Sequence, residues 1–90
     1  MFKNLEDLIN IIRERKKNSK LSSYTNKLLN DKKLSIEKVK EEIGELIESI
    51  EKDENKVHES ADVLYHLMVL LEANGIKIED VMDELKKRQK

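Results

Sequence analysis

The chain has 90 residues, a length at which a single domain spanning residues 1–90 is the default. Its formal net charge is −1 although 41% of its residues are charged, so acidic and basic side chains nearly cancel. This balance argues against nucleic-acid binding, which needs a local excess of lysine and arginine, and against a polybasic membrane anchor. Because cysteine is absent, disulfides and thiolate metal sites are excluded.

The N-terminal segment MFKNLEDLINII carries acidic residues inside its apolar stretch and lacks a small-residue cleavage site. It therefore does not resemble a signal peptide. The longest apolar run of the chain is also far shorter than a membrane-spanning helix requires. We therefore expect a soluble, cytoplasmic protein.

Apolar residues recur at helical spacing along nearly the whole chain, and no segment alternates in the manner of a strand, which predicts an all-α fold. A chain of this size forms only a thin core, so self-association is a reasonable expectation from length alone. The periodicity predicts four main helices and one short helix, with the short one second, at about residues 3–18, 23–30, 36–52, 56–74 and 78–88.

Residue types that favour helix ends lie at several of these boundaries. Asn4 is a possible N-cap of the first helix, and Ser22 or Ser23 is the expected N-cap of the short helix. The second main helix is predicted to start after Ser35, following a loop with the sequence NDKK. Gly75 supplies a left-handed stop after the third main helix.

Acidic residues lie beside the apolar stripe of the second main helix. On a helical wheel Glu42 falls at the margin of the stripe, and Glu45 lies one step further round. Lys38 falls on the same side, whereas Glu41 and Glu48 point further toward water. The first acidic pair is therefore placed at the edge of a surface that is expected to be buried.

The third main helix repeats this arrangement, with Glu59 and Asp62 beside its apolar stripe and His66 on the same edge. Short connections make neighbouring helices antiparallel. Packing the two apolar stripes together would bring Glu42 and Glu45 close to the acidic pair of the third helix. The wheels therefore predict one cluster of four carboxylates.

Four carboxylates that are close together and partly desolvated repel one another, so some must protonate or a cation must lie among them. Hard divalent cations prefer carboxylate oxygens, and Mg²⁺ usually completes its shell with water and phosphate oxygens. Zinc is disfavoured because cysteine is absent and only one histidine is nearby. A single acidic pair on a helix is usually solvated surface, and the wheels leave both interpretations open.

Two acidic motifs resemble a known signature. The string EEIGE at residues 41–45, followed by ESAD at residues 59–62, is similar to the E-E-x-x-E and E-x-x-D pattern of MazG-like all-α nucleoside-triphosphate pyrophosphohydrolases. Four longer strings resemble one family of this group, the phosphoribosyl-ATP pyrophosphohydrolases of histidine biosynthesis. These strings are SSYTNKLL (22–29), EKVKEE (37–42), ESADVLYHLMVLL (59–71) and DELKKR (83–88).

The resemblance implies hydrolysis of phosphoribosyl-ATP to phosphoribosyl-AMP and pyrophosphate, by attack of water between the α and β phosphates. It also implies nucleotide binding, dependence on Mg²⁺ (Mn²⁺ being possible) and a MazG-like helical bundle completed by homodimerisation. A phosphoribosyl-AMP cyclohydrolase, the functional partner, is expected to be a separate polypeptide. By carry-over, the metal ligands would be Glu42, Glu45, Glu59 and Asp62.

One of the clustered acids is expected to orient or deprotonate the attacking water, and the candidate catalytic residues are Glu41, Glu42 and Glu45. Hydroxyls and free N–H groups at the start of the short helix would suit an anion, although Ser23 could serve only as a cap and Tyr24 could only pack. The candidates for substrate contacts are Arg15, Ser23, Tyr24, Thr25, Lys38 and His66.

Several supporting residues have alternative interpretations. Lys38 could contact a phosphate or form a salt bridge with Glu42. His66 could support a carboxylate or contact substrate. Tyr65 is expected to pack at a subunit contact, and Met82 to fill the core.

Three departures from the family pattern stand near the expected substrate site. Lys40 replaces a common glycine, the proline that usually precedes SYT is missing, and residues 31–33 lack the family's loop glycine.

Two other functions stay open. One is a MazG-like house-cleaning hydrolase of nucleoside triphosphates, and the other is a non-catalytic helical interaction module.

Overall fold

The computed structural model describes residues 1–18 and 23–89, and these residues form five helices and no strand. The predicted all-α fold is therefore confirmed. Four of the helices are long and one is short, as the periodicity predicts. They are α1 (Lys3–Lys17), α2 (Tyr24–Asn30), α3 (Lys32–Lys52), α4 (Lys56–Ala73) and α5 (Ile78–Arg88).

The fourth helix is the centre of the molecule, because α4 packs against each of the other four helices. Its most extensive partner is α3, and a short turn makes these two helices an antiparallel hairpin. One apolar cluster joins α1, α2 and α4. Its buried members are Ile9, Ile12, Leu28, Met68 and Val69.

The boundary between α2 and α3 differs from the prediction. Helix α3 begins at Lys32, and Asp31 alone separates it from α2. The Asp31 carboxylate accepts a hydrogen bond of 3.0 Å from the backbone N–H of Leu34, so aspartate provides the N-cap that was assigned to Ser35. Ser35 itself is buried within the helix, with 1% of its surface exposed. The predicted loop NDKK is therefore wrong.

Two other caps were predicted, and one is confirmed. The Ser23 hydroxyl accepts from the backbone N–H of Asn26 and caps α2, while Ser22 lies outside the described residues. The cap predicted at Asn4 is wrong, because α1 already begins at Lys3 with Phe2 in the N-cap position.

A buried amide joins α1 to α2. The Asn26 side chain is 4% exposed and donates from Nδ2 to the backbone carbonyls of Arg15 and Asn18. Its Oδ1 accepts from the Ser23 hydroxyl at 2.6 Å. Both ends of the amide are thus satisfied, as a buried polar group requires. The end of α1 and the start of α2 are therefore held in a fixed relation.

The helix stops on either side of α4 use left-handed backbone conformations. Gly75, which follows the C-cap residue Asn74 of α4, has a φ of 70°, which confirms the predicted glycine stop. In the turn between α3 and α4, Asp53 and Asn55 each have a φ of 56°. Aspartate and asparagine tolerate this region better than other residues with a Cβ atom.

None of residues 78–88 is fully buried, and α5 is held by ion pairs together with Ile78, which packs against the apolar cluster. Arg13 of α1 donates from Nε to Glu72 of α4 at 2.8 Å and reaches both oxygens of Glu79 on α5, at 2.9 and 2.6 Å. The hydrogen bond from Arg13 lowers the pKa of Glu79 to about 2. The guanidinium of Arg13 is thus engaged by the carboxylates of Glu72 and Glu79.

Large apolar side chains remain exposed on the α3/α4 hairpin. We name this surface, formed by Ile43, Ile47, Ile50, Val57 and Leu64, the hairpin face. Val57 is 85% exposed, so these residues contribute little to the core of the single chain. Helix α5 also exposes Met82, so its predicted place in the core is wrong.

Along the described ranges 1–18 and 23–89, every helix is too short or too polar to cross a lipid bilayer.

Candidate metal and substrate site

The acidic pair of α3 lies partly inside the α3/α4 hairpin. Glu42 and Glu45 are three residues apart, so they lie on the same side of the helix. Glu42 is 9% exposed, whereas Glu45 is exposed to solvent. The wheel position of Glu42, at the margin of the apolar stripe, therefore corresponds to real burial.

The acidic pair of α4 faces the pair of α3. Carboxylate oxygens of Glu42, Glu45 and Glu59 all lie within 4.8 Å of one another. A second triad consists of His58, Glu59 and Asp62, again with ligand atoms within 4.8 Å. Because Glu59 belongs to both triads, the four predicted acids form one continuous group, which we call the acid cluster.

Two oxygens of the acid cluster are buried without a hydrogen-bond partner. These are Oε2 of Glu42 and Oε2 of Glu59, and neither accepts a hydrogen bond from any of the described residues. Buried carboxylate oxygens are normally paired, because desolvation without compensation is costly. The two oxygens are thus available to a cation or a proton.

Electrostatics within the acid cluster disfavour the fully charged state. Burial raises the pKa of the Glu42 carboxyl, and the neighbouring Glu45 carboxylate raises it further. Burial also raises the pKa of Glu59, with added repulsion from Glu45 and Asp62. A bound cation would remove both penalties.

The donor set fits a hard divalent ion. Its atoms are carboxylate oxygens, which suit Mg²⁺, Ca²⁺ and Mn²⁺, and the described residues near it include no sulfur ligand. The nitrogen donor within the two triads is His58, whose Nε2 lies 3.4 Å from Oδ2 of Asp62. His58 is exposed, and the i, i+4 spacing places it beside the acid cluster.

Lys38 and Glu41 lie next to the acid cluster and pair with each other. Lys38 Nζ donates to a Glu41 oxygen at 3.1 Å, so the salt bridge predicted with Glu42 forms with Glu41 instead. This hydrogen bond raises the pKa of Lys38. Glu41 is therefore neutralised by an adjacent cation.

Helix α2 contacts the acid-bearing half of α4 through side-chain hydrogen bonds. Tyr24 Oη lies 3.0 Å from Nε2 of His66, and His66 Nδ1 lies 2.8 Å from the backbone carbonyl of Asp62. Thr25 Oγ1 lies 2.5 Å from Oη of Tyr65. The contacts of Tyr24 with His66 and of Thr25 with Tyr65 thus connect α2 to the turn of α4 that follows Asp62.

The remaining predicted substrate residues lie near this junction. Ser23 caps α2, which confirms the capping role predicted for it. Arg15 is half-buried on the last turn of α1, and its backbone carbonyl accepts from Asn26. Burial raises the pKa of Tyr24, which lies near Lys38.

A cleft of about 160 Å³ opens beside Glu45 and Glu59, with Lys52 also lining it. Pockets that enclose a small organic ligand usually measure about 300–1,000 Å³. The cleft can therefore hold an ion with its waters, but it is too small to enclose a nucleotide.

Two residues of this region have roles that the sequence did not indicate. The hydroxyl of Tyr65, a residue expected at a subunit contact, also contacts Thr25 within the chain. His58 had no predicted role, yet it contacts Asp62. The i, i+4 spacing could have suggested the second contact, but no local pattern predicts a hydrogen bond across 40 residues.

Known proteins resemble the chain over nearly its whole length. The profile of the family described as phosphoribosyl-ATP pyrophosphohydrolase matches residues 5–89. A phosphoribosyl-ATP pyrophosphatase of Sulfurisphaera tokodaii is 46% identical over 89 residues, covering 96% of this chain and 95% of the relative. The corresponding protein of Methanobrevibacter smithii is 34% identical over 90 residues, covering 94% and 93%.

A longer relative also matches. The histidine biosynthesis bifunctional protein HisIE of Pyrococcus furiosus is 43% identical over 89 residues, and the chain spans 41% of its length. The motifs at 41–45 and 59–62 that indicated the family lie inside the matched range. The chain belongs to the phosphoribosyl-ATP pyrophosphohydrolase family.

Proposed function

We propose that the protein hydrolyses phosphoribosyl-ATP to phosphoribosyl-AMP and pyrophosphate, a step of histidine biosynthesis. The observation that carries the proposal is the acid cluster, with its two buried and unpartnered oxygens, in a member of this family. A phosphoribosyl-AMP cyclohydrolase would then take the product.

The residues proposed to hold Mg²⁺, or Mn²⁺ in its place, are Glu42, Glu45, Glu59 and Asp62. The unpartnered oxygens of Glu42 and Glu59 support this assignment, because a cation would satisfy both. Such an ion, when bound, neutralises phosphate charge and polarises phosphate oxygens.

The three candidate catalytic acids differ in their surroundings. Glu41 is paired with Lys38, and Glu42 is buried in the hairpin. Glu45 is the exposed carboxylate at the edge of the acid cluster, where it can accept a hydrogen bond from a water molecule. We therefore assign the orientation of the attacking water to Glu45.

Substrate is proposed to lie across the surface between α2 and the acid cluster. Lys38 provides a cation beside Glu41 and Glu42, where phosphate oxygens would be placed. The other residues proposed to line this surface are Arg15, Ser23, Tyr24, Thr25 and His66.

A second copy of the chain is proposed to cover the hairpin face and complete the site. Ile43, Ile47 and Ile50 follow a helical spacing on α3, and Val57 and Leu64 lie on α4 across the short turn. Exposed apolar patches of this kind mark interaction sites. The cleft beside Glu45 is too small for a nucleotide, so further walls are needed.

Replacing Ile47 with aspartate is expected to convert a dimer into monomers at micromolar concentration, because a buried unpaired charge at an interface is strongly unfavourable. Sedimentation velocity would measure the change. Ile11→Asp is the matched control, because Ile11 is 51% exposed and Ile47 is 54% exposed, but Ile11 lies on α1. A wild-type protein that sediments as a monomer would contradict the proposal.

Hydrolysis is tested by adding phosphoribosyl-ATP, or a panel of nucleoside triphosphates, to purified protein with Mg²⁺ and measuring pyrophosphate. We expect kcat/KM for phosphoribosyl-ATP to exceed that for the panel by about 100-fold or more, since extra substrate groups contribute binding energy in the transition state. Turnover of the panel alone would identify a house-cleaning hydrolase, and no pyrophosphate release would indicate a non-catalytic module. Glu45→Gln removes the carboxylate proposed to orient the water and is expected to lower activity. Its control is Glu84→Gln, on exposed α5, which should keep activity.

A further inference from the structure

The contact between Thr25 and Tyr65 joins α2 to the helix that carries Glu59 and Asp62. The two hydroxyl oxygens are 2.5 Å apart, and both residues are half-buried. Tyr65 lies three residues after Asp62, so it belongs to the next turn of α4. The position of Thr25 is thereby fixed relative to the acid cluster.

The neighbouring contact, between Tyr24 and His66, has a defined direction. The backbone carbonyl of Asp62 can only accept, so the Nδ1 atom of His66, 2.8 Å away, must be the donor. In the neutral imidazole Nε2 is then an acceptor, and Tyr24 donates its only hydroxyl proton to it. Tyr24 therefore offers no donor to a substrate oxygen.

Thr25 behaves differently, because its partner is another hydroxyl. Either oxygen can donate to the other across the 2.5 Å contact. If Tyr65 donates, the proton of Thr25 is free to bind an acceptor such as a phosphate oxygen. A chain of two hydroxyls that ends on an anion is strengthened by mutual polarisation. An anionic ligand would therefore select the direction in which Tyr65 donates.

We propose that Tyr65 is a positioning residue that directs the Thr25 hydroxyl to donate to an acceptor oxygen of the substrate. The inference rests on the proposed function, because it concerns the same substrate surface. The two adjacent hydroxyls of α2 then have different acceptors, because Thr25 donates to the substrate and Tyr24 donates to His66. Tyr65 itself does not touch the substrate.

Kinetics of Tyr65→Phe, Thr25→Val and the double variant test this assignment. We expect Tyr65→Phe to raise KM about 3- to 10-fold, the effect of one neutral hydrogen bond, with kcat changed less than about twofold. Thr25→Val is expected to raise KM at least as much. The double variant should be no worse than Thr25→Val alone, because both changes interrupt one chain.

Two further variants separate positioning from stability. Thr25→Ser keeps the hydroxyl and is expected to restore KM to within about twofold of wild type, as one retained hydrogen bond requires. Asn30→Ala removes a hydrogen bond at the other end of α2, from Asn30 Nδ2 to the carbonyl of Asn26, and should leave KM unchanged. Mn²⁺ binding to the metal-free protein, measured by calorimetry, should be the same in wild type and Tyr65→Phe.

Other outcomes would overturn the proposal. If Tyr65→Phe lowers the melting temperature but leaves KM unchanged, or if its effect adds fully to that of Thr25→Val, Tyr65 has only a structural role. If wild-type protein hydrolyses no phosphoribosyl-ATP, the proposed function fails and this inference fails with it. The activity of the wild-type protein therefore distinguishes the two failures.

Discussion

Replacing Glu42 with glutamine is expected to lower kcat/KM by about 100-fold or more, because the change removes a proposed metal ligand and the charge that it supplies. The same change should stabilise the metal-free protein and raise its melting temperature by a few degrees. The reason is that Glu42 is 9% exposed, lacks a partner for Oε2 among the described residues and is repelled by Glu45. Activity and stability would thus change in opposite directions.

The gain in stability should depend on pH. The pKa of Glu42 is raised above 4.5 in the folded protein, so its ionisation disfavours folding at pH values above that raised pKa. As the pH falls through the raised pKa toward 4.5, wild-type Glu42 becomes neutral and the advantage of Glu42→Gln should disappear. Thermal melts of metal-free protein between pH 7 and pH 4.5 measure this difference.

Mg²⁺ provides the second measurement on Glu42. Saturating Mg²⁺ should raise the melting temperature of wild type but not that of Glu42→Gln, because a ligand stabilises only the state that binds it. Glu51→Gln serves as the matched control, since Glu51 is an exposed carboxylate on the same helix. Equal stabilisation of wild type and Glu42→Gln by Mg²⁺ would argue against Glu42 as a ligand.

Replacing Glu72 with alanine is expected to destabilise the protein by about 2 kcal/mol, which lies below the usual range for a broken buried ion pair. The lower value follows because Arg13 is 31% exposed and keeps its hydrogen bonds to Glu79. For a domain of this size, the loss corresponds to a melting temperature lower by about 10 °C. Thermal denaturation followed by circular dichroism would measure it.

The control for Glu72 is an ion pair on the surface. Glu84→Ala breaks the exposed contact with Arg88 on α5 and should change stability by less than about 0.5 kcal/mol. Because Glu72 is distant along α4 from Glu59 and Asp62, Mn²⁺ affinity should be retained in Glu72→Ala well below its melting temperature. A melting temperature within about 2 °C of wild type would show that the pair contributes little to stability.

The sequence predicted the parts of the fold that depend on local periodicity. The five helices follow from apolar spacing, and Gly75 ends α4 as expected. Glu42 and Glu59 could be assigned to facing edges because each lies at the margin of an apolar stripe, and short connections make the helices antiparallel. The location of the acid cluster was therefore available from the wheels alone.

Other features depend on competition or on distant contacts. Asp31 and Ser35 can both cap a helix, and sequence does not rank two caps that lie four residues apart. The hydrogen bond between Thr25 and Tyr65 spans 40 residues and depends on how α2 packs. Periodicity also places Ile47 on the apolar stripe of its helix, but it does not tell whether the same chain or a second copy buries that side chain.

The turn between α3 and α4 has a consequence for the geometry of the site. Asp53 and Asn55 hold left-handed conformations there, with φ of 56° at each. A helix advances by about 100° per residue, so one extra residue in either helical arm would rotate Glu59 and Asp62 away from Glu42. The angular phase between the two halves of the acid cluster is thus determined by a three-residue segment, 53–55, that contributes no carboxylate to it.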